Sequence, residues 1–275
     1  MPRFADLTPT SSSQRLFAGP GRTPTPQLVN LVKIPRVSTT PKIALVAGAN
    51  GMIGGYLIQA LLEAPDYSRV FALTRRPYGR EHPKLANRIV VYPRMAEQLK
   101  GMVAHDAFCC IGTTIAAAGS QEAFREADVD AVMLFARAAR ATGATRLVVV
   151  SSARADPASK NFYLRTKGEM EEEVASVGFP SLDILQPSLL LGPRKESRPM
   201  ETLGRLLAPL ANPFLTGSRE ALKAIPAETV ARGMVGAARR GARGIYRYTY
   251  PAILQLAEIR PHQPMPGQPA RKTPA

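Results

Sequence analysis

The stretch Lys42–Leu57, KIALVAGANGMIGGYL, decides the reading of this chain. Ile43 to Ala47 form a short apolar run that ends in glycine, as a buried parallel strand does. Beyond it, Ile53, Leu57 and Leu61 recur every four residues and mark one face of a helix. The glycines therefore sit in a strand-to-helix turn, the context in which a glycine pattern carries meaning. Gly48 allows the tight turn, Gly51 lets a pyrophosphate approach the backbone, and Gly54 lets helix and strand pack closely. Asn50, Met52 and Ile53 complete the expected cradle, because the helix N-terminus offers free N–H groups and a positive dipole end. The spacing is G-x-x-G-x-x-G rather than G-x-G-x-x-G.

From Lys42 onward, strand and helix patterns alternate. Apolar runs at 43–47, 69–74, 88–92, 107–112, 146–152 and 181–186 read as six strands. Helices are expected at about 52–63, 95–102, 121–142 and 162–177, with Gly143 and Gly178 as stops for the last two. Parallel strands joined by right-handed helical crossovers imply an α/β fold, a Rossmann-type doubly wound parallel sheet of order 3-2-1-4-5-6. Ligands then bind at the carboxyl ends of the strands. Roughly 70 residues lie between strand 6 and the tail at 260, too few for a large substrate domain. Helices near 200–210 and 227–239, a strand at 244–250 and a short helix to about 258 are expected there. They read as a small C-terminal cap from about 190, with a short extra strand left open. Residues 42–259 thus form the NAD(P)-binding domain. The Pro-, Ser- and Thr-rich 1–41 and the loose 260–275 read as disordered extensions.

Composition narrows the function. The chain has 275 residues and a net charge of +15, yet no run of five like charges and no nucleic-acid-binding motif. No specific nucleic-acid partner is expected; a basic surface suits anionic ligands such as a phosphorylated cofactor. No apolar run reaches the roughly 18 residues that cross a bilayer, so no membrane span is expected. Cys109 and Cys110 are adjacent, which excludes a disulfide framework and favours a reducing compartment and core packing. His82, His105 and His262 are scattered, so no metal is expected. The location reads as cytoplasmic. The acid-poor residues 1–41, with Arg and Ser, leave a mitochondrial matrix protein as the alternative.

Strand 5 runs into Ser151-Ser152, and Tyr163 and Lys167 follow on one helix face, four apart. A free phenol is a poor acid-base catalyst at neutral pH. A neighbouring ammonium and an oxidised nicotinamide both favour phenolate. Tyr163 is thus the candidate proton donor, Ser152 the hydrogen-bond partner of the same substrate oxygen, and Lys167 the group that tunes Tyr163 and holds the nicotinamide ribose. Arg75 and Arg76 follow strand 2, where NAD enzymes place an acidic residue for the ribose 2′-hydroxyl. Arginine there suits the 2′-phosphate of NADP(H), with NAD(H) the less favoured cofactor. Arg194 and Arg198 stand open as contacts to an anionic substrate or as pocket rim.

The runs AFCCIGTT (107–114), LVVVSSARADPASKNFYLRTKGEMEEEV (147–174) and ILQPSLLLGPRKESRP (184–199) resemble atypical short-chain dehydrogenases/reductases, in particular the HIV Tat-interactive protein 2-like oxidoreductases. The resemblance implies an NADPH-binding Rossmann fold with Ser152, Tyr163 and Lys167 in the catalytic positions. It implies that Ile111, Gly112 and Thr113 lie beside the adenosine and ribose, and that Pro187 and Ser188 line the nicotinamide end. Tyr92 stands where such proteins place an aspartate against the adenine; a tyrosine there stacks on the ring instead.

The function expected is NADPH-dependent oxidoreduction of a small carbonyl or hydroxyl substrate. The alternative is a non-catalytic NADP(H)-binding regulator or scaffold. A nucleotide-sugar epimerase or dehydratase shares the Ser/Tyr/Lys set but needs a larger second lobe. Homodimerisation through packed helices stays open.

Overall fold

The computed structural model describes residues 41–192 and 222–259. Its framework follows from period-2 alternation in strands buried on both faces. In β1 (Lys42–Ala47), Ala44 and Val46 enter one core while Leu45 and Ala47 enter the other. β4 (Asp106–Cys109) sends Phe108 to the first core and Ala107 and Cys109 to the second. β5 (Arg146–Val150) divides Val148 from Leu147 and Val149 in the same way. With β2 (Tyr67–Thr74), β3 (Leu85–Ile89), β6 (Ser181–Leu185) and β9 (Gly244–Tyr248), they form one seven-stranded parallel sheet of order β3-β2-β1-β4-β5-β6-β9. The anticipated order is present, and the extra strand is β9, at the edge beside β6.

Helices cover both faces. α1 (Met52–Glu63) packs with α7 (Ala227–Arg240), and α7 with α8 (Tyr250–Ala257), around the first core. α2 (Met95–Gln98), α5 (Ala131–Ala141) and α6 (Phe162–Ser176) lie over the second. α5 continues the short α4 (Gln121–Arg125) through a π turn at Glu126–Asp130, where one uninterrupted α-helix was expected. A further short helix, α3 (Ile115–Ala118), precedes it. α7 thus forms the crossover between β6 and β9. β7 (Leu190–Leu191) and β8 (Ile225–Pro226) pair apart from the main sheet. The helix expected near 200–210, Arg194, Arg198, residues 1–40 and the tail from 260 lie outside the described residues.

Several strand boundaries differ from the apolar runs; β2 starts at Tyr67 rather than 69, and β9 ends at Tyr248 rather than 250. β3 spans Leu85–Ile89, not 88–92, because its register against β2 matches Val70–Thr74 to Leu85–Ile89. Past that point Val90 turns inward, its N–H donating to the Thr74 carbonyl, and Pro93 supports a 3₁₀ turn at Tyr92–Arg94. As an edge strand, β3 buries little, so hydrophobicity marks it poorly. β4 ends at Cys109 and β5 at Val150, which leaves Ile111–Thr113 and Ser151–Ser152 in loops at the carboxyl edge.

The opposite edge is held by buried charge. Asp106 accepts from Tyr67 Oη at 2.6 Å and Lys42 Nζ at 2.9 Å, and Arg146 Nη1 donates to Asp183 at 2.7 Å. Tyr248 Oη donates to the other oxygen of Asp183. Lys42, Tyr67, Asp106 and Arg146 stand at the amino ends of their strands, away from the carboxyl edge.

Candidate functional site

The glycine turn admits no side chains at two of its positions. Gly48 has φ +80°, and a Cβ there would lie 2.5 Å from the Cys110 carbonyl. A Cβ on Gly54 would overlap the Gly48 carbonyl oxygen, so α1 crosses the end of β1 at backbone distance. Gly51 N–H donates to Gly48 O at 2.9 Å and closes the turn. Gly51 is also the N-cap of the twelve-residue α1, and with no side chain it leaves the first-turn N–H groups to a ligand. Ile53 and Gly54 are buried and Met52 is half-buried, and none of these three lines the cavity that opens above the turn.

Above this turn opens a cavity of about 600 Å³, in the range of small-molecule sites. Gly48, Asn50 and Gly51 form one wall, Arg75 and Arg76 another, and Ile111, Gly112 and Thr113 a third. Arg75 and Arg76 make no ion pair with another described residue. Tyr92 also lines the cavity, its ring centroid 5.9 Å from Arg75 Cζ. Burial pushes the Tyr92 phenol up, against the pull of Arg75. A bare helix N-terminus, two exposed guanidinium groups and an aromatic face fit the adenosine and pyrophosphate half of a dinucleotide.

Tyr163 and Lys167 lie on α6. The Asn161 side chain caps this helix by accepting the Leu164 N–H at 3.1 Å. Gly168 lets the helix rest on the 156–157 backbone, which a Cβ would penetrate. Tyr163 is half-buried with its ring 5.5 Å from that of Phe124. Lys167 is buried, and its ammonium forms an ion pair with Asp128 Oδ1 rather than standing alone beneath Tyr163. Burial works against the Lys167 charge, but Asp128 and Tyr163 outweigh it and the ammonium titrates above its ordinary range. Asp128 Oδ2 accepts the Thr113 N–H at 2.7 Å. A Cβ on Gly112 would lie 3.3 Å from Asp128 Oδ1 and 3.7 Å from Lys167 Nζ. The expected ribose-binding lysine thus sits directly under the cavity wall formed by Gly112.

Asp128 escaped the sequence reading although a signal for it exists. It belongs to the buried face of its helix, four residues before Val132 and eight before Ala136. A carboxylate on an apolar face demands a partner.

Ser152 and Pro187 meet at the ends of β5 and β6, where Ala153 N–H donates to Pro187 O at 2.9 Å. Ser152 Oγ donates to Ala153 O at 3.5 Å, and no hydrogen bond joins it to Tyr163. Ser188 Oγ donates to the Lys223 carbonyl. One turn beyond Lys167, the buried Glu171 accepts from Gln186 Nε2 at 2.8 Å and Arg247 Nε at 2.7 Å, fixing the exit of β6. The structure therefore gathers Gly48, Asn50, Gly51, Arg75, Arg76 and Ile111–Thr113 around the cavity. It places Ser152, Tyr163, Lys167, Pro187 and Ser188 outside its lining, along the carboxyl edges of β5 and β6 and on α6. Cys109 is buried, its thiol pushed up to about 12 by burial, and Cys110 packs against Met234. His105 Nδ1 accepts the Ile43 N–H.

Residues 44–223 match the NAD dependent epimerase/dehydratase family. The chain is 34% identical over 209 residues to the protein fmp52, mitochondrial, of Aspergillus clavatus, covering 74% of this chain and 88% of that protein. It is 33% identical over 199 residues to the protein HTATIP2 of Rattus norvegicus, covering 70% and 80%. Among solved structures, MoeE5 in complex with UDP-glucose and NAD superposes with a TM-score of 0.56 at 19% identity, over 75% of each chain. The UDP-glucose 4-epimerase of Thermotoga maritima gives 0.57 at 12% identity, over 75% of this chain and 76% of that one. At such identities these two likenesses concern the fold.

Proposed function

Because this chain belongs to the NAD dependent epimerase/dehydratase family, a family of nucleotide-binding oxidoreductases, we propose that it is an NADPH-dependent reductase of small carbonyl compounds. One observation carries the reading: on α6, the helix that bears Tyr163, the Lys167 Nζ lies behind Gly112 of the cavity wall. The glycine turn binds the pyrophosphate through backbone N–H groups, and Tyr92 offers its face to the adenine. Arg75 and Arg76 hold the 2′-phosphate by charge-assisted hydrogen bonds. The cofactor, when bound, supplies a hydride to the carbonyl carbon. Ser152 orients the carbonyl oxygen, and Tyr163 Oη gives it the proton that completes the alcohol. Lys167 anchors the ribose side and stabilises the tyrosinate left behind.

The test is a panel of aldehydes and ketones with NADPH consumption followed by absorbance, for the native protein and Tyr163→Phe. Turnover that collapses in Tyr163→Phe while NADPH affinity stays within about twofold supports the assignment. Equal turnover in both proteins contradicts it.

A second reading, a non-catalytic NADP(H)-binding regulator, draws on one feature: Ser152 points its hydrogen bond at Ala153 O and not toward Tyr163. It predicts NADPH binding without turnover of any carbonyl in the panel. The composition of residues 1–41 and the mitochondrial relatives favour a mitochondrial location over the cytoplasm. Fractionation of cells that express the tagged chain decides between the two.

A further inference from the structure

Arg75 and Arg76 line the cavity, but the residue that holds their turn does not. Asn87 stands on β3, opposite Ala72 of β2 in the parallel register. Its side-chain amide makes three hydrogen bonds, and they grip the chain on either side of the two arginines. Before them, Nδ2 donates to Ala72 O at 3.0 Å and to Thr74 Oγ1 at 2.7 Å. After them, Oδ1 accepts the Tyr78 N–H at 3.1 Å. These partners fix which way the amide faces, because a carbonyl oxygen only accepts and a backbone N–H only donates. Each end has a second anchor: Thr74 O accepts the Val90 N–H at 2.8 Å, and Tyr78 packs against the first core. Arg75, Arg76 and Pro77 bridge the two ends, and Pro77 disfavours helical backbone at Arg76. Neither guanidinium has a carboxylate partner among the described residues, so no ion pair sets its place. The clamped backbone does, with the Tyr92 ring beside Arg75.

We propose that Asn87 is a positioning residue for the 2′-phosphate of NADPH: by clamping both ends of the Arg75–Arg76 turn, it sets the cofactor preference from outside the cavity. The inference rests on the assignment of Arg75 and Arg76 to that phosphate. The physical reason is preorganisation. A guanidinium fork reaches its full hydrogen-bond strength on a phosphate only in the right plane. A loose turn must be ordered at the moment of binding, whereas a clamped one is ordered on folding. NADH has a hydroxyl where NADPH has the phosphate, so it draws little from the arginines and little from the clamp. Asn87 is exposed on an edge strand, and its truncation opens no cavity in the core.

The experiment is calorimetric titration of the full chain with NADPH and with NADH, for the native protein, Asn87→Ala and the similarly shaped Asn87→Leu, with a thermal melt of each. Both variants are expected to lose about fivefold or more in NADPH affinity while NADH affinity stays within about twofold. A merely structural role moves both cofactors together, or lowers the melting temperature without touching their ratio, and either result overturns the proposal. A native preference for NADPH that both variants keep overturns it too, and leaves the assignment of Arg75 and Arg76 standing. A native protein with no preference overturns both. If neither Asn87 variant folds, Thr74 decides. Thr74→Ser keeps the oxygen that accepts from Asn87, and Thr74→Val removes it. A preference kept in Thr74→Ser and reduced in Thr74→Val supports the proposal; any other pattern overturns it.

Discussion

Lys167 and Asp128 meet inside the protein, with side chains 5% and 0% exposed. Such a pair is weak evidence of net stabilisation, yet breaking it strands a charge in the interior. Asp128→Asn and Lys167→Met are each expected to lower the unfolding free energy by about 3 kcal/mol, in the range for one-sided removal. The double variant loses less than the sum, because neither charge is then left alone. Urea unfolding of the four proteins measures this. Strict additivity would show that the two groups do not interact.

The glycine turn yields a contrast between neighbours. A Cβ on Gly54 meets the Gly48 carbonyl, a backbone atom that cannot rotate away, whereas one on Gly55 meets nothing within 4 Å. Gly54→Ala should therefore abolish dinucleotide binding and cost more than about 2 kcal/mol. Gly55→Ala, inside the same helix, should raise stability by about 0.5–1 kcal/mol. Thermal melts and calorimetry on both variants check the pair. Equal behaviour would mean that helix and strand are not at backbone contact.

Much of this was legible in the sequence, and the failures share a cause. The central strands and the glycine turn are marked by patterns that burial on both faces imposes, so β1, β4, β5 and β6 start within a residue of their apolar runs. β3 lies at the sheet edge, exposes Arg88 and Ile89, and is fixed by its register with β2, which no local pattern encodes. That Tyr163 and Lys167 share one helix was readable from their spacing. That Lys167 is buried and paired was not, because YLRTK reads as polar and the partner lies 39 residues earlier on a helix read for its apolar residues alone. The π turn at Glu126–Asp130 belongs to that same helix.

Acid should weaken one tie between elements. Asp66, just before β2, accepts from Arg239 Nε at 2.8 Å and Nη2 at 3.0 Å, near the end of α7. Burial alone would raise the Asp66 carboxyl, but the bonds and charge of Arg239 outweigh it and hold the carboxyl below its ordinary value. A depressed carboxyl contributes stability above its unfolded pKa of about 3.9 and loses it as pH falls through the folded value. Arg239→Ala is expected to cost about 1 kcal/mol at pH ~7, the upper end for a pair still in contact with solvent. The gap between native and variant should narrow below pH ~4. Urea unfolding at several pH values measures it, and a gap that widens in acid would contradict the assignment.

The cavity beside the glycine turn is the centre of the account, and calorimetric titration with NADPH and, separately, NADH tests it most directly. With Arg75 and Arg76 on the 2′-phosphate, NADPH is predicted to bind at least about tenfold tighter than NADH, roughly 1.4 kcal/mol. Arg75→Ala/Arg76→Ala should erase that preference while NADH affinity stays nearly unchanged. Equal binding of both cofactors, tighter binding of NADH, or binding of neither would contradict it.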